Sequence, residues 1–297
     1  MHHLIVKLNF RCRRYAFAVG CVDGSVRLLH LEGDNQSRTI SQRWRKRYKA
    51  AVRGCKFAVD GNSLYVVSKN LALCQQDLQS GSKMRCIQIA HNHAPYSLYP
   101  IDQHLIATGD ENGVCKIWDW RLDRKPAVAE FHECVDFVSD FVCDVAKTTL
   151  LFTSGDATLT AVDLRTMKPI CQSEEMHTEL LSLVIAMQGK RVLCSSGNGY
   201  LEVFNWDQWG TIVERLDTGH QDSVEDLCLL DDRLLASASL DGSPPTTTVW
   251  SLWLQLTTGV YWQAVVMITR YFSLTLIRKR SKYRKSSNRY STNSMIK

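Results

Sequence analysis

No CxxC pair occurs anywhere in this 297-residue chain, although it holds eleven cysteines. They stand at positions 12, 21, 55, 74, 86, 115, 134, 143, 171, 194 and 228. An odd number without ligand spacing argues against a zinc site and against a disulfide framework. Most lie within apolar runs, as Cys194 and Cys228 do, where a free thiol behaves as a small hydrophobe. A reducing compartment is therefore expected. A secretory core is also lacking, since the opening MHHLIVKLNF is too short and too interrupted. No glycine-rich phosphate loop, Ser–His–Asp arrangement or nucleophile elbow appears. His91, His93, His104, His132 and His177 show no metal-ligand spacing. The expectation is a chain that is not an enzyme, with no cofactor, metal or small-molecule substrate.

Acids are missing from one whole segment. Residues 243–297 carry nine basic side chains and no Asp or Glu. The net charge of +6 therefore belongs to that segment, and residues 1–242 are mildly acidic, with 27 basic against 30 acidic residues. With 45% hydrophobic content the chain can build a sizeable core.

What is present is a repeat. Six short turn phrases recur: GCVDG (20–24), VSKNL (67–71), GDENG (109–113), TSGDA (153–157), SGNG (196–199) and ASLDG (238–242). Their ends are spaced by 47, 42, 44, 42 and 43 residues. Each follows an apolar run, and all but the last lead into an alternating one, such as SVRLLHLE or VCKIWDW. A period of about 40–45 residues with strand–turn–strand texture marks blades of the WD40 kind. A four-stranded sheet cannot bury both faces alone, so blades stack around an axis. The expected fold is an all-β, WD40-type β-propeller over residues 1–242, with six recognisable blades and a seventh missing or corrupted.

The third unit carries the fullest signature: His91, Thr108, the DENG turn, then Trp118 and Asp119. In such a blade the histidine, a strand hydroxyl, a turn acid and the tryptophan form a buried hydrogen-bonded chain. His220 opens the sixth unit in the same way, and Asp241 closes its turn. These residues are read as structural. Asp136, Asp140 and Asp144 recur every four residues in a strand–turn–strand context, where loop solvation is the expected role. The run Arg43, Trp44, Arg45, Lys46, Arg47, Tyr48, Lys49 falls in the longest interval, which suggests a loop between blades. Two readings stay open for it: a nuclear-localisation or RNA-phosphate patch with aromatics for base stacking, or a solvated loop.

From Ser243 onward the repeat stops. Val249–Thr269 holds no charge and is flanked by RKRSKYRK, the texture of a C-terminal anchor, but Gln255, Thr257, Thr258 and Gln263 interrupt it. A second reading explains more. Taken from the third base of each codon, Tyr261–Ile268 forces Leu, then Ala, then after four further residues Asp. These fall at the offsets of Leu235, Ala236 and Asp241 in LASASLD. Residues 243–297 are then an out-of-frame reading of a seventh blade, expected to add nothing regular to the ring.

The stretches 90–121, 150–165 and 192–210, with VVSKN at 66–70, resemble the WD repeat-containing protein 55 family. The likeness runs over about residues 15–242. It implies a nucleolar propeller acting in ribosomal-RNA processing as a non-catalytic scaffold. The implied partners are proteins bound at blade rims, together with pre-ribosomal particles or rRNA. The implied location is nucleus and nucleolus, with the cytoplasm as a second compartment. It also implies a complete seventh blade and a segment before Tyr15, and both departures bear on ring closure. The rival readings are a propeller enzyme hydrolysing small esters and a membrane-anchored WD40 adaptor.

Overall fold

In the computed structural model the described residues are all-β, built of six antiparallel sheets in sequence order. The structure describes residues 5–11, 16–32, 39–122, 126–231, 234–239, 241, 252–255, 261–269 and 272–280. Sheet one holds β1 (Ile5–Arg11), β2 (Ala16–Cys21), β3 (Ser25–Glu32) and β4 (Thr39–Arg47). Sheet two holds β5 (Val52–Phe57), β6 (Ser63–Ser68), β7 (Ala72–Asp77) and β8 (Lys83–Ile87). Sheet three holds β9 (Pro95–Pro100), β10 (Leu105–Asp110), β11 (Cys115–Asp119) and β12 (Ala129–Phe131). Sheet four holds β13 (Val138–Cys143), β14 (Thr149–Ser154), β15 (Leu159–Asp163) and β16 (Lys168–Gln172). Sheet five holds β17 (Leu180–Ala186), β18 (Arg191–Ser196), β19 (Tyr200–Asn205) and β20 (Glu214–Asp217). Sheet six begins with β21 (Val224–Asp231) and β22 (Leu234–Ser239).

Successive sheets pack face to face, and side-chain alternation divides each middle strand between two neighbours. Val66 joins the cluster shared with sheet one, through Val26 and Leu28, whereas Val67 joins the cluster shared with sheet three, through Leu98 and Ile106. Leu150 and Phe152 face sheet three, and Leu151 faces sheet five. Val192 and Cys194 face sheet four, and Leu193 faces sheet six. This explains why SLYVV and LLFTS are unbroken apolar runs: both faces are buried, and β6 is buried along its whole length. A fully buried side chain of this kind contributes about 1.5–3 kcal/mol. Five clusters fill the five interfaces from sheet one to sheet six, and no cluster joins sheet six to sheet one among the described residues.

In sheets one to five the recurring phrases are hairpins between the second and third strands. Their last described residues have positive φ: Gly24 (78°), Leu71 (70°), Gly113 (82°), Ala157 (68°) and Gly199 (84°). At Gly113 a Cβ would lie 2.3 Å from the carbonyl oxygen of Cys134, so close backbone approach also requires glycine there. Every first strand carries a register shift near its start, at Ile5/Lys7, Val52/Gly54, Pro95/Ser97, Val138/Asp140, Leu180/Ser182 and Val224/Asp226. Such bulges bend the strand and re-aim a side chain at the sheet end.

Two expectations are corrected. Cys74 and Cys86 are register partners on β7 and β8 and are joined by a disulfide, while the other eight described cysteines are free. Sequence spacing does not reveal this pairing, because strand register brings the two side by side. Cys12 lies outside the described residues. Secondly, residues after Gly242 do add regular structure. Strands β23 (Leu252–Gln255), β24 (Tyr261–Thr269) and β25 (Phe272–Arg280) extend sheet six in the order β21-β22-β25-β24-β23. The physical cause is the open edge of β22 beside a segment rich in Val, Ile, Thr and aromatic residues, which favour strands. No described helix is long and apolar enough to cross a membrane.

Candidate functional site

In sheet three the loop before β9 carries His91 under the hairpin of β10 and β11. His91 Nδ1 lies 3.1 Å from Asp110 Oδ2, and Nε2 lies 2.7 Å from Thr108 Oγ1. Trp118 Nε1 donates to the same Thr108 oxygen at 2.8 Å. The indole can only donate to Thr108 and the Asp110 carboxylate can only accept from His91 Nδ1–H; a neutral His91 then accepts the Thr108 O–H at Nε2. All four side chains are buried. Burial opposes ionisation of Asp110, but the bond from His91 and the N–H groups of Val114 and Asn112 outweigh it. They hold this carboxyl below the usual carboxylate range.

Sheet six repeats the arrangement. His220 Nδ1 is 3.0 Å from Asp241 Oδ2, and Nε2 is 3.1 Å from Ser237 Oγ. The structure thus brings together His91, Thr108 and Trp118, and separately His220 and Asp241. Asp119 does not join them: it accepts from Arg121 Nη2 at 2.6 Å, which lowers its carboxyl to about 2. The turn acid of the chain is Asp110. It opens the DENG phrase, so its signal was present in the sequence, and Ser237 is the first of the two serines of LASASLD.

The basic run lies mostly on β4, the terminal strand of sheet one, and not on a loop. Alternation along that strand separates its members. Arg43, Arg45, Lys46 and Arg47 are exposed, as is Lys49 just beyond the strand. Trp44 is buried, packs with Leu28 and Leu64, and donates its indole N–H to the Leu78 carbonyl at 2.9 Å. Its ring is therefore not offered for base stacking. Arg45 pairs with Asp23 at 3.1 Å, and Arg47 donates to the Asp23 carbonyl at 3.3 Å. Cations on a terminal strand also deter edge-to-edge pairing.

The acids at 136, 140 and 144 separate as well. Asp136 is exposed before β13, and Asp144 accepts from Thr148 and Thr149 to close the next turn. Asp140 departs from loop solvation: it is buried within β13 and accepts from Ser182 Oγ at 2.8 Å. The same serine lies 3.3 Å from Asp226 Oδ1, so three successive first strands share one polar contact. The histidines do not gather. His132 faces Glu130 at 3.3 Å, His93 and His177 are exposed on separate loops, and His104 sits at the opposite end of sheet three from His91. Among the described residues no three His, Cys, Asp or Glu side chains form a group able to hold a metal.

Six successive antiparallel sheets, a repeat of about 43 residues and two buried histidine–hydroxyl–aspartate clamps define a WD40 repeat protein. Residues 84–119, the segment of the complete clamp, match the family model of the WD domain, G-beta repeat. The chain is homologous at moderate identity to WD repeat-containing protein 55. It is 32% identical to the Arabidopsis thaliana protein over 229 residues, covering 77% of this chain and 64% of that one. The Homo sapiens protein is 30% identical over 238 residues, covering 79% and 60%. WD repeat-containing protein JIP5 of Coprinopsis cinerea is 33% identical over 204 residues, covering 68% and 48%. The chain thus spans about three-fifths of the Arabidopsis and human relatives and about half of the fungal one.

Proposed function

We propose that the chain is a non-catalytic interaction platform of the WD repeat-containing protein 55 family, acting in ribosomal-RNA processing in the nucleolus. The observation that carries the platform reading is the use of its buried polar groups. His91, Thr108, Asp110 and Trp118 bond one another, as do His220, Ser237 and Asp241, so these residues hold loops to strands instead of facing a substrate. Similarity to WD repeat-containing protein 55 over more than three-quarters of the chain supports the family, and the resemblance of the repeat phrases supplies the rRNA role. Binding uses sheet ends and loops, where a few aromatic and arginine anchors dominate affinity. Affinity isolation of the full chain from nuclei tests this reading. Recovery of ribosome precursors without turnover of small esters is expected. Ester hydrolysis lost on changing a rim histidine such as His177 would contradict it.

We propose also that residues 1–242 are the functional body and that residues 243–297 are an out-of-frame reading of a seventh blade. The register match of the hidden Leu, Ala and Asp with Leu235, Ala236 and Asp241 supports this. Sequencing the transcript across the codons for Asp241 to Trp262 tests it. An additional stretch of about sixteen codons restoring L-A-S-x-x-x-D in frame is expected from the repeat period. An uninterrupted transcript would contradict it.

A further inference from the structure

On the outer flank between sheets two and three lies a cavity of about 570 Å³. One wall is β8, the terminal strand of sheet two, with Ile87 and then Ile89 beyond it; the other includes Ala127, Lys116 and Glu130 on and before the outer strands of sheet three. A cross-sheet clamp shares Arg85 with the cavity lining. The Arg85 guanidinium stacks on Trp120 at 4.6 Å and donates to the carbonyls of Trp120 and Leu122. The Trp120 indole reaches back to Gln75 on β7 at 2.5 Å. These contacts bridge the two sheets, so the groove between them is preformed.

Two properties of the groove point to an occupant. Apolar side chains line much of it, Ile87, Ile89, Ala90, Pro126 and Ala127, and Ile89 is 72% exposed. An apolar lining with a few placed charged groups suits a binding groove. Among the described residues the charged side chains lining the cavity are two cations, Arg85 and Lys116, against one carboxylate, Glu130, which pairs with Lys116 at 3.2 Å. An incoming carboxylate has Lys116 within the groove to compete for. The groove runs between two terminal strands, β8 and β12, a setting suited to a chain in extended form.

We propose that this flank groove docks an extended segment of a partner protein in which apolar side chains alternate with carboxylates. The proposal rests on the non-catalytic binding reading above and names one surface and one class of partner for it. The test immobilises the full chain and probes it with three sets of capped heptapeptides, in which Leu, Ile or Phe alternate with Asp/Glu, with Ser, or with Lys. The Asp/Glu set is expected to bind best. Ile89→Glu, a change at an exposed site, is expected to weaken that binding at least about ten-fold. Val145→Glu, at a fully exposed position outside the groove, is expected to leave it unchanged. The proposal is overturned if no set binds, if the Lys set binds as well or better, or if Ile89→Glu changes nothing. Concentration-dependent self-association abolished by Ile89→Glu would overturn it too, because the occupant would then be a second copy. Recovery of ribosome precursors by a chain that binds no peptide would sink the groove and leave the platform standing. Peptide binding without such recovery would do the reverse.

Discussion

Asp110 and Asp241 reach the same nitrogen of their respective histidines from different places in their turns. Asp110 lies 19 residues after His91, Asp241 lies 21 after His220, and the two contacts measure 3.1 and 3.0 Å. The hydroxyl partner, by contrast, stands 17 residues after the histidine in both sheets. The strand position is thus fixed by ladder register, while the turn admits an acid at either of two positions. What the two sheets share is the contact itself, a carboxylate on Nδ1.

Thr108 is the junction of the fuller clamp, and replacing it is expected to be costly. Thr108→Val keeps the volume but removes the oxygen shared by Trp118 and His91, leaving two buried polar groups without that partner. Each orphaned group costs about 1–3 kcal/mol. A loss of about 2–5 kcal/mol in denaturant unfolding is expected, with no loss for the exposed-site control Val145→Thr.

The Asp110 carboxyl predicts an acid dependence. Its folded-state pKa is depressed, so its contribution is present above the unfolded carboxylate range near pH 4 and is lost as pH falls through the lower folded value. Asp110→Asn is expected to lower stability at pH 7 and to flatten the decline below about pH 4. Parallel acid titrations of unfolding in the two proteins check this, and identical slopes would contradict it.

The equivalent turn positions give opposite expectations for glycine. Leu71 sits at φ 70°, where a branched side chain is strained by about 1 kcal/mol. Leu71→Gly is therefore expected to be neutral or to stabilise by up to about 1 kcal/mol. Gly113→Ala brings a Cβ to 2.3 Å from a backbone oxygen at φ 82° and is expected to cost more than about 2 kcal/mol. Thermal unfolding of both variants decides it.

For the basic run, charge and packing separate cleanly. Neutralising Arg43, Arg45, Lys46, Arg47 and Lys49 is expected to weaken RNA binding and flatten its salt dependence while the fold persists. Trp44→Ala is expected to cost about 3–5 kcal/mol of stability. RNA binding and nuclear import unchanged in the charge variant would make the run a solvated strand edge.

The sheets were legible because each interface demands an apolar run at one interval, and turn glycines mark its end. The His91 clamp was legible because its members keep fixed spacing, down to the turn acid, which is Asp110 of the DENG phrase. Leu71 and Ala157 show why glycine is an incomplete guide: the left-handed turn persists where its usual residue is missing. Register hid the rest. Nothing in the spacing of Cys74 and Cys86, of Asp140 and Ser182, or of Arg45 and Asp23 reveals that strand pairing and sheet stacking bring them together. The run at 43–49 misled for a related reason, since a strongly charged stretch reads as a loop when it is a terminal strand with one face buried through Trp44.

The claim that this WD40 chain is a scaffold for ribosomal-RNA processing is tested most directly by depleting it and measuring precursor rRNAs. Precursors are expected to accumulate and to be restored by the unaltered chain, but less so by a Thr108→Val form whose clamp is broken. Normal precursor levels after complete depletion would contradict the account.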